Sequence, residues 1–369
     1  MQVPDIDAMG ILTAGARFAK LRFAKIYACL PPPSLLARRG LRSGRVILAP
    51  LYSDGNWKNL MKISKPRRRF LRQSLTGTAL AGTAGASLFG AEPPQESKKK
   101  ARFEISLAEW SLHKAIQGNL IKTLDFPRIA RRTFGIGAVE LVNTLLEVPT
   151  AEYIARLKRN ATDEGVRILL IMCDAEGALA HKDKAPRMKA VQSHTKWIDI
   201  AAELGCHSIR VNMRGEEKGT AVGAAAIDDF VSRSVDAFSA LCEIAAKSQI
   251  NIIIENHGGL SSNAEVLARL IKSVNRPNLG TLPDFGNFDR GMDRYEGIRK
   301  LMPFAKGVSA KSHGFDPQGN EAEIDYGRMM KIVLDEAPFS GYVGIEFEGD
   351  KLVEYEGIWA TKRLLEKFQ

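Results

Sequence analysis

Four side chains capable of metal and acid–base chemistry stand at matching places along the chain: Glu255, Asp284, His313 and Glu346. Each falls at or just past the end of an apolar run, and the separations are 29, 29 and 33 residues. Three carboxylates and one imidazole form a hard, oxygen-rich donor set. It suits one divalent ion, Mn²⁺, Mg²⁺, Co²⁺ or Zn²⁺, with positions left over for substrate oxygens. Without a cation, three carboxylates meeting at one place would repel and raise a pKa. Taken singly, each residue also fits a strand end that caps the next helix or pairs with a nearby lysine. The regular spacing is what argues for one site.

That spacing is one ligand per strand–helix unit, so the surrounding elements must be β/α repeats. Residues Ile250 to Gly259 read Ile-Asn-Ile-Ile-Ile-Glu-Asn-His-Gly-Gly. A β-branched run without alternation predicts a strand buried on both faces, as in parallel sheets. The same reading predicts strands at 103–109, 136–142, 166–173, 207–211, 250–254, 279–282, 305–310 and 342–347. Helices are predicted between them at 126–134, 150–164, 189–204, 227–247, 263–273, 295–301 and 326–336, with a last one at 355–367. Eight units within the final 267 residues fit a closed (β/α)₈ barrel, a TIM barrel, typically of ~250 residues with right-handed crossovers. An open doubly wound sheet would carry Gly-x-Gly-x-x-Gly after its first strand, and that motif is missing there.

A barrel builds its site at the C-terminal ends of its strands. Seven more residues there become candidates for holding a substrate. Trp110 could stack on a flat face of a substrate or pack into the core. Glu140 lines the mouth of the second strand. Arg210 and Asn212 could bind hydroxyls or an anion, or close a salt bridge inside the barrel. His257 could touch substrate or orient Glu255. Asn287 follows Asp284 by three residues. Lys311 could polarise a carbonyl or hold an anion, or pair with Glu346 or Asp284. Ser309, Lys311 and His313 share one face of a regular strand. Of these only His313 is a good ligand for a transition metal, and it reaches the site if the strand bends after Lys311.

Charge divides the chain sharply. Residues 1–102 hold 19 Lys/Arg against 5 Asp/Glu, a net of +14, whereas the remaining 267 hold 34 against 37, a net of −3. A slightly acidic body lacks the basic cluster that nucleic-acid binding needs. Cys29, Cys173, Cys206 and Cys242 are widely spaced with no Cys-x-x-Cys, which points to free thiols. Residues 1–60 show no sustained period and read as disordered, or as a spurious upstream extension with Met61 as the start. Residues 61–102 read as a secretory signal and linker: Arg67-Arg68-Arg69-Phe70-Leu71, then a short apolar stretch rich in Gly, Ala and Thr. That stretch is too short and too rich in glycine for stable membrane insertion. The arginine pair resembles a twin-arginine signal, which implies the twin-arginine export machinery as a partner and a periplasmic or exported destination.

Residues 103–369 resemble the xylose isomerase-like TIM barrels, the superfamily of sugar phosphate isomerase/epimerases that also contains endonuclease IV. The resemblance rests on Ile-Glu255-Asn-His257-Gly-Gly, Leu-Pro-Asp284-Phe-Gly-Asn287, Val-Ser-Ala-Lys311-Ser-His313 and Gly-Ile-Glu346-Phe-Glu-Gly. It implies one divalent metal on Glu255, Asp284, His313 and Glu346, and an acid/base role for Glu255 and Glu346 on opposite faces of a substrate carbon. The implied activity is isomerisation or epimerisation of a sugar, keto-sugar or polyol. A lyase or hydrolase of oxidised sugars, or a metal- and sugar-binding barrel without turnover, remains open, as does assembly into a homo-oligomer. An endonuclease is disfavoured by the missing extra histidines and basic face. Two departures stand out. Many relatives carry His-x-Lys on strand seven, where this chain reads Ser309-Ala310-Lys311. Many epimerases carry a histidine where this chain has Asn287.

Overall fold

The computed structural model describes residues 101–217, 222–289 and 291–369. The expectations for residues 1–60, the twin-arginine pair Arg67 and Arg68, and Cys29 lie outside the described residues. Eight strands form the sheet: β1 (Glu104–Ala108), β2 (Ala138–Val142), β3 (Arg167–Cys173), β4 (Ser208–Val211), β5 (Asn251–Glu255), β6 (Leu279–Leu282), β7 (Val308–Ser312) and β8 (Tyr342–Phe347). Their order is β6-β5-β4-β3-β2-β1-β8-β7, and every laddered pair is parallel.

The two ends of this sheet meet. Parallel bridges join Thr281 to Ala305 and Asp284 to Ser309, and Ser309 N donates to the Pro283 carbonyl at 2.9 Å. β6 stays short because Pro283 has no N–H to extend its ladder. The ring therefore closes through a thin seam, and that seam carries two residues of the candidate site.

Nine α-helices among the described residues run outside the sheet: α1 (His113–Gln117), α2 (Phe126–Phe134), α3 (Ala151–Asp163), α4 (Lys184–Leu204), α5 (Ala224–Ala246), α6 (Ala264–Val274), α7 (Arg294–Leu301), α8 (Tyr326–Lys331) and α9 (Glu354–Glu366). Local chemistry sets their ends. Asn263 accepts hydrogen bonds from Glu265 N and Val266 N to start α6, and Thr150 accepts from Tyr153 N to start α3. Gly205 ends α4 in the left-handed region at φ 77°. The layer between sheet and helices is apolar and fully buried, with Leu107, Val139, Ile171, Ile209, Ile252, Ile254, Val343 and Ile345 in it. Among the described residues, no helix is long and apolar enough to cross a membrane.

The predicted elements are present, but α1 is not among the predicted helices, α5 begins at Ala224, three residues early, and three further differences stand out. β7 begins three residues later than its apolar run implies, because Ala305 leaves the Met302–Phe304 turn and pairing with β8 starts only at Val308. α4 begins at Lys184, five residues early. The helix predicted at 326–336 is α8 followed by a π-helical turn, Ile332–Glu336.

Candidate active site

Glu255 ends β5, Asp284 lies two residues beyond β6, and Glu346 is the penultimate residue of β8. One carboxylate oxygen from each lies within 4.8 Å of the others. All three are buried, with 1%, 0% and 4% of their surface exposed. Asp284 is fixed by its own backbone turn, where Oδ1 accepts from Gly286 N and Asn287 N, both at 2.8 Å. Asn256 clamps the seam from β5. Its Oδ1 accepts from Asp284 N at 2.8 Å and its Nδ2 donates to the Asp284 carbonyl at 2.9 Å. Sequence reasoning passed over Asn256, although it sits between Glu255 and His257; its side chain turns toward the neighbouring strand rather than the mouth.

Two cations face these carboxylates. Lys311 is 1% exposed. Its ammonium donates to Glu346 Oε1 at 2.9 Å and Glu348 Oε2 at 2.8 Å, and lies 3.9 Å from Asp284 Oδ2. Arg210 Nη1 donates to Asp174 Oδ1 at 2.8 Å. Its Nε lies 3.0 Å from Glu255 Oε2, yet the direction is wrong for a hydrogen bond and both atoms are buried without one. That contact is a charge pair only, and it leaves Glu255 Oε2 with lone pairs to offer.

The charge balance shows in the acidities. Burial pushes the Glu255 carboxyl up to about 7, against the pull of Arg210 and with a further push from Glu346. Burial likewise raises Asp284 to about 7, opposed by Lys311 and reinforced by Glu255 and Glu346. Burial would raise Glu346 too, but the Lys311 ammonium beside it holds it below the ordinary carboxylate range. Burial disfavours charge on Lys311, and the surrounding carboxylates, Glu346 first, outweigh that and hold it as an ammonium.

The remaining predicted residues divide. Asn287 donates to Glu255 Oε1 at 3.0 Å. Asn212 donates to Asp174 Oδ1 at 2.7 Å and accepts from Arg210, so both serve a network inside the barrel. His257 makes no ring hydrogen bond to Glu255; its Nδ1 is buried without a partner. Burial and Arg210 hold its imidazole neutral. It borders a cavity of about 240 Å³ that Met213, Arg214, Phe230 and Leu260 also line. The Trp110 indole N–H donates to Glu348, and one ring face stacks on His113 at 4.5 Å. Glu140 lies deeper. Its Oε1 accepts from Ser106 Oγ at 2.6 Å, its Oε2 is buried with no partner, and a Cβ at Gly344 would strike it. Burial raises it to about 7, with Glu346 and Glu255 adding to the effect.

His313 does not join the carboxylates. The expected bend after Lys311 is not made, since β7 keeps its register with β8 through Ser312↔Phe347. His313 follows the last residue of β7, and the group of side chains that converge within 4.8 Å comprises Glu255, Asp284 and Glu346 without it. Its Nε2 comes 3.5 Å from where a Cβ on Gly286 would lie. Ser309 holds the inner position instead, with Oγ 2.8 Å from Asp284 Oδ2 and 2.7 Å from Glu346 Oε2. It shares a strand face with Lys311, and that alternation was the signal that could have found it.

The donor set fits a divalent cation. Glu255, Asp284 and Glu346 converge, one of their oxygens has no hydrogen bond, and the carboxylates around them outnumber Lys311 and Arg210. Parallel strands closed into a ring, with buried carboxylates at its C-terminal mouth, define a (β/α)₈ barrel whose mouth could hold a metal. The sequence model of the xylose isomerase-like TIM barrel family matches residues 128–366, and the chain belongs to that family. Among curated proteins, none matches the chain significantly. Solved structures similar to it include a D-tagatose 3-epimerase-like protein, at 19% identity and TM-score 0.55, covering 72% of this chain and 97% of that one. The IolI protein with a bound zinc atom aligns at 15% identity and TM-score 0.58, over 72% and 99%. D-allulose 3-epimerase from Methylomonas sp. in complex with D-allulose aligns at 16% and 0.57, over 73% and 98%.

Proposed function

We propose that the protein is a metal-dependent isomerase or epimerase of a sugar, keto-sugar or related polyol. The observation that carries this reading is the convergence of Glu255, Asp284 and Glu346, buried and within 4.8 Å, at the mouth of a barrel of this family. The likeness to sugar epimerases supports the substrate class. These three carboxylates would hold the ion, which supplies Lewis acidity that polarises a substrate carbonyl and acidifies the adjacent C–H.

The chain's own residues do the rest. Glu346, bonded to Lys311 and Ser309, and Glu255, beside Arg210 and Asn287, are the two groups able to take a proton from carbon and return one. Lys311 keeps Glu346 in place and its charge near the substrate oxygens. His257, neutral and with a free Nδ1, is available to a hydroxyl. Trp110 offers one indole face at the rim. The leader supports a second part of the proposal, which is export through the twin-arginine pathway to the periplasm.

Solvent-deuterium incorporation tests the reading. The metal-loaded protein, incubated in D₂O with a panel of keto-sugars, should place deuterium on the carbon beside the carbonyl of its substrate. Glu255→Gln and Glu346→Gln should each slow this by about 10² or more, the scale of a lost general acid or base. No exchange with any sugar of the panel, in protein shown to hold metal, would favour a binding barrel without turnover.

A further inference from the structure

Ser309 presents a problem of electron pairs. It is buried, and its hydroxyl oxygen touches two carboxylate oxygens at once, Asp284 Oδ2 at 2.8 Å and Glu346 Oε2 at 2.7 Å. A hydroxyl has one proton and two lone pairs. It can donate to one of these oxygens, and with both carboxyls ionised the other contact sets lone pair against lone pair. Such a contact needs a proton on one carboxyl or a cation close by. Lys311 supplies the cation on one side only, because its ammonium is 2.9 Å from Glu346 Oε1 but 3.9 Å from Asp284 Oδ2. Glu255 Oε2, the third corner, has no hydrogen bond at all. Arg210 Nε stands 3.0 Å from that oxygen as a charge pair, so the Asp284 corner of the cluster lies farthest from a cation.

We propose that Ser309 is itself a metal ligand, and that the ion held by Glu255, Asp284 and Glu346 takes its fourth protein donor from the Ser309 hydroxyl. The inference rests on the metal reading above. It makes the site all-oxygen, of the kind that suits Mg²⁺ and Mn²⁺, at the position where many relatives carry histidine. A serine hydroxyl is a weak ligand alone, yet Ser or Thr hydroxyls hold Mg²⁺ in phosphate-binding loops. Here a carboxylate accepts the hydroxyl's hydrogen bond, which leaves the oxygen richer in electron density. His313 cannot take over this place while β7 stays paired with β8 through Ser312.

The test is spectroscopic and uses the full chain. Ser309→Cys is nearly isosteric and replaces the oxygen with sulfur. Loaded with Co²⁺, the variant should show a sulfur-to-cobalt charge-transfer band in the near ultraviolet that the Co²⁺-loaded parent lacks. Its affinity for Zn²⁺ relative to Mn²⁺ should rise about tenfold or more, and Ser309→Ala should weaken Mn²⁺ binding by about tenfold, the scale of even an outer-sphere loss. Circular dichroism checks that each variant folds. If the parent binds one Co²⁺ but Ser309→Cys gives no band and Ser309→Ala binds Mn²⁺ as the parent does, Ser309 is not a ligand and the metal reading survives. If the parent binds no divalent ion, both fall together.

Discussion

Glu140 should make the barrel less stable as the solution becomes more alkaline. Its carboxyl is fully buried, hydrogen-bonded once, through Ser106, and raised from 4.5 to about 7. A carboxyl whose pKa is raised on folding binds more protons folded than unfolded between those two values. Its contribution is therefore fully present below pH ~4.5 and is lost as pH rises through about 7. A shift of that size corresponds to about 3 kcal/mol at pH 8, taken as an upper limit. Glu140→Gln removes the ionisation and keeps the shape. The amide oxygen can still accept from Ser106 Oγ, and the NH₂ replaces an oxygen that has no partner. The variant should match the parent near pH 4 and exceed it at pH 8 by up to ~3 kcal/mol, which for a domain of this size is roughly 5–10 °C in Tm. Urea unfolding at both pH values, with chelator present so that metal linkage does not enter, measures it. A Gln variant that is less stable at pH 8, or a difference that does not change with pH, would refute the reasoning.

One divalent ion per chain should bind or copurify, and Glu255→Gln, Asp284→Asn or Glu346→Gln should each lower its affinity by about tenfold or more, as read by titration calorimetry; a second ion at full occupancy would instead indicate a two-metal, hydrolytic centre. His313→Ala should leave that affinity within about threefold, well short of the ~10-fold that a direct ligand loses, and a larger drop would show that the strand rearranges around the ion. Fusing residues 61–102 to a folded reporter should carry it across the inner membrane, with Arg67→Lys and Arg68→Lys together abolishing export; reporter that still crosses in the double variant removes the twin-arginine reading.

The sequence by itself determined the eight β/α units and the strand ends at Glu255 and Glu346, because strand and helix periods are local. A short, unalternating β-branched run such as Ile252–Ile254 favours a strand covered on both sides, and caps such as Asn263 and Gly205 act within one turn. Placing Asp284 beside those glutamates also followed, since a closed ring of parallel strands brings their C-terminal ends to one mouth. Tertiary structure decided what pairing across the ring controls. The register of β7 comes from β8, and it set Ser309 rather than His313 among the carboxylates. The burial of Lys311 between Glu346 and Glu348, and of Arg210 between Asp174 and Glu255, joins residues 35 or more positions apart. Glu140 moved from the rim to the floor for the same kind of reason, because Gly344 on β8 leaves the space that its carboxylate fills. A strand pattern says which face a side chain takes; the height at which it meets its neighbours depends on strands far away in the chain, and so does the chemistry of the site.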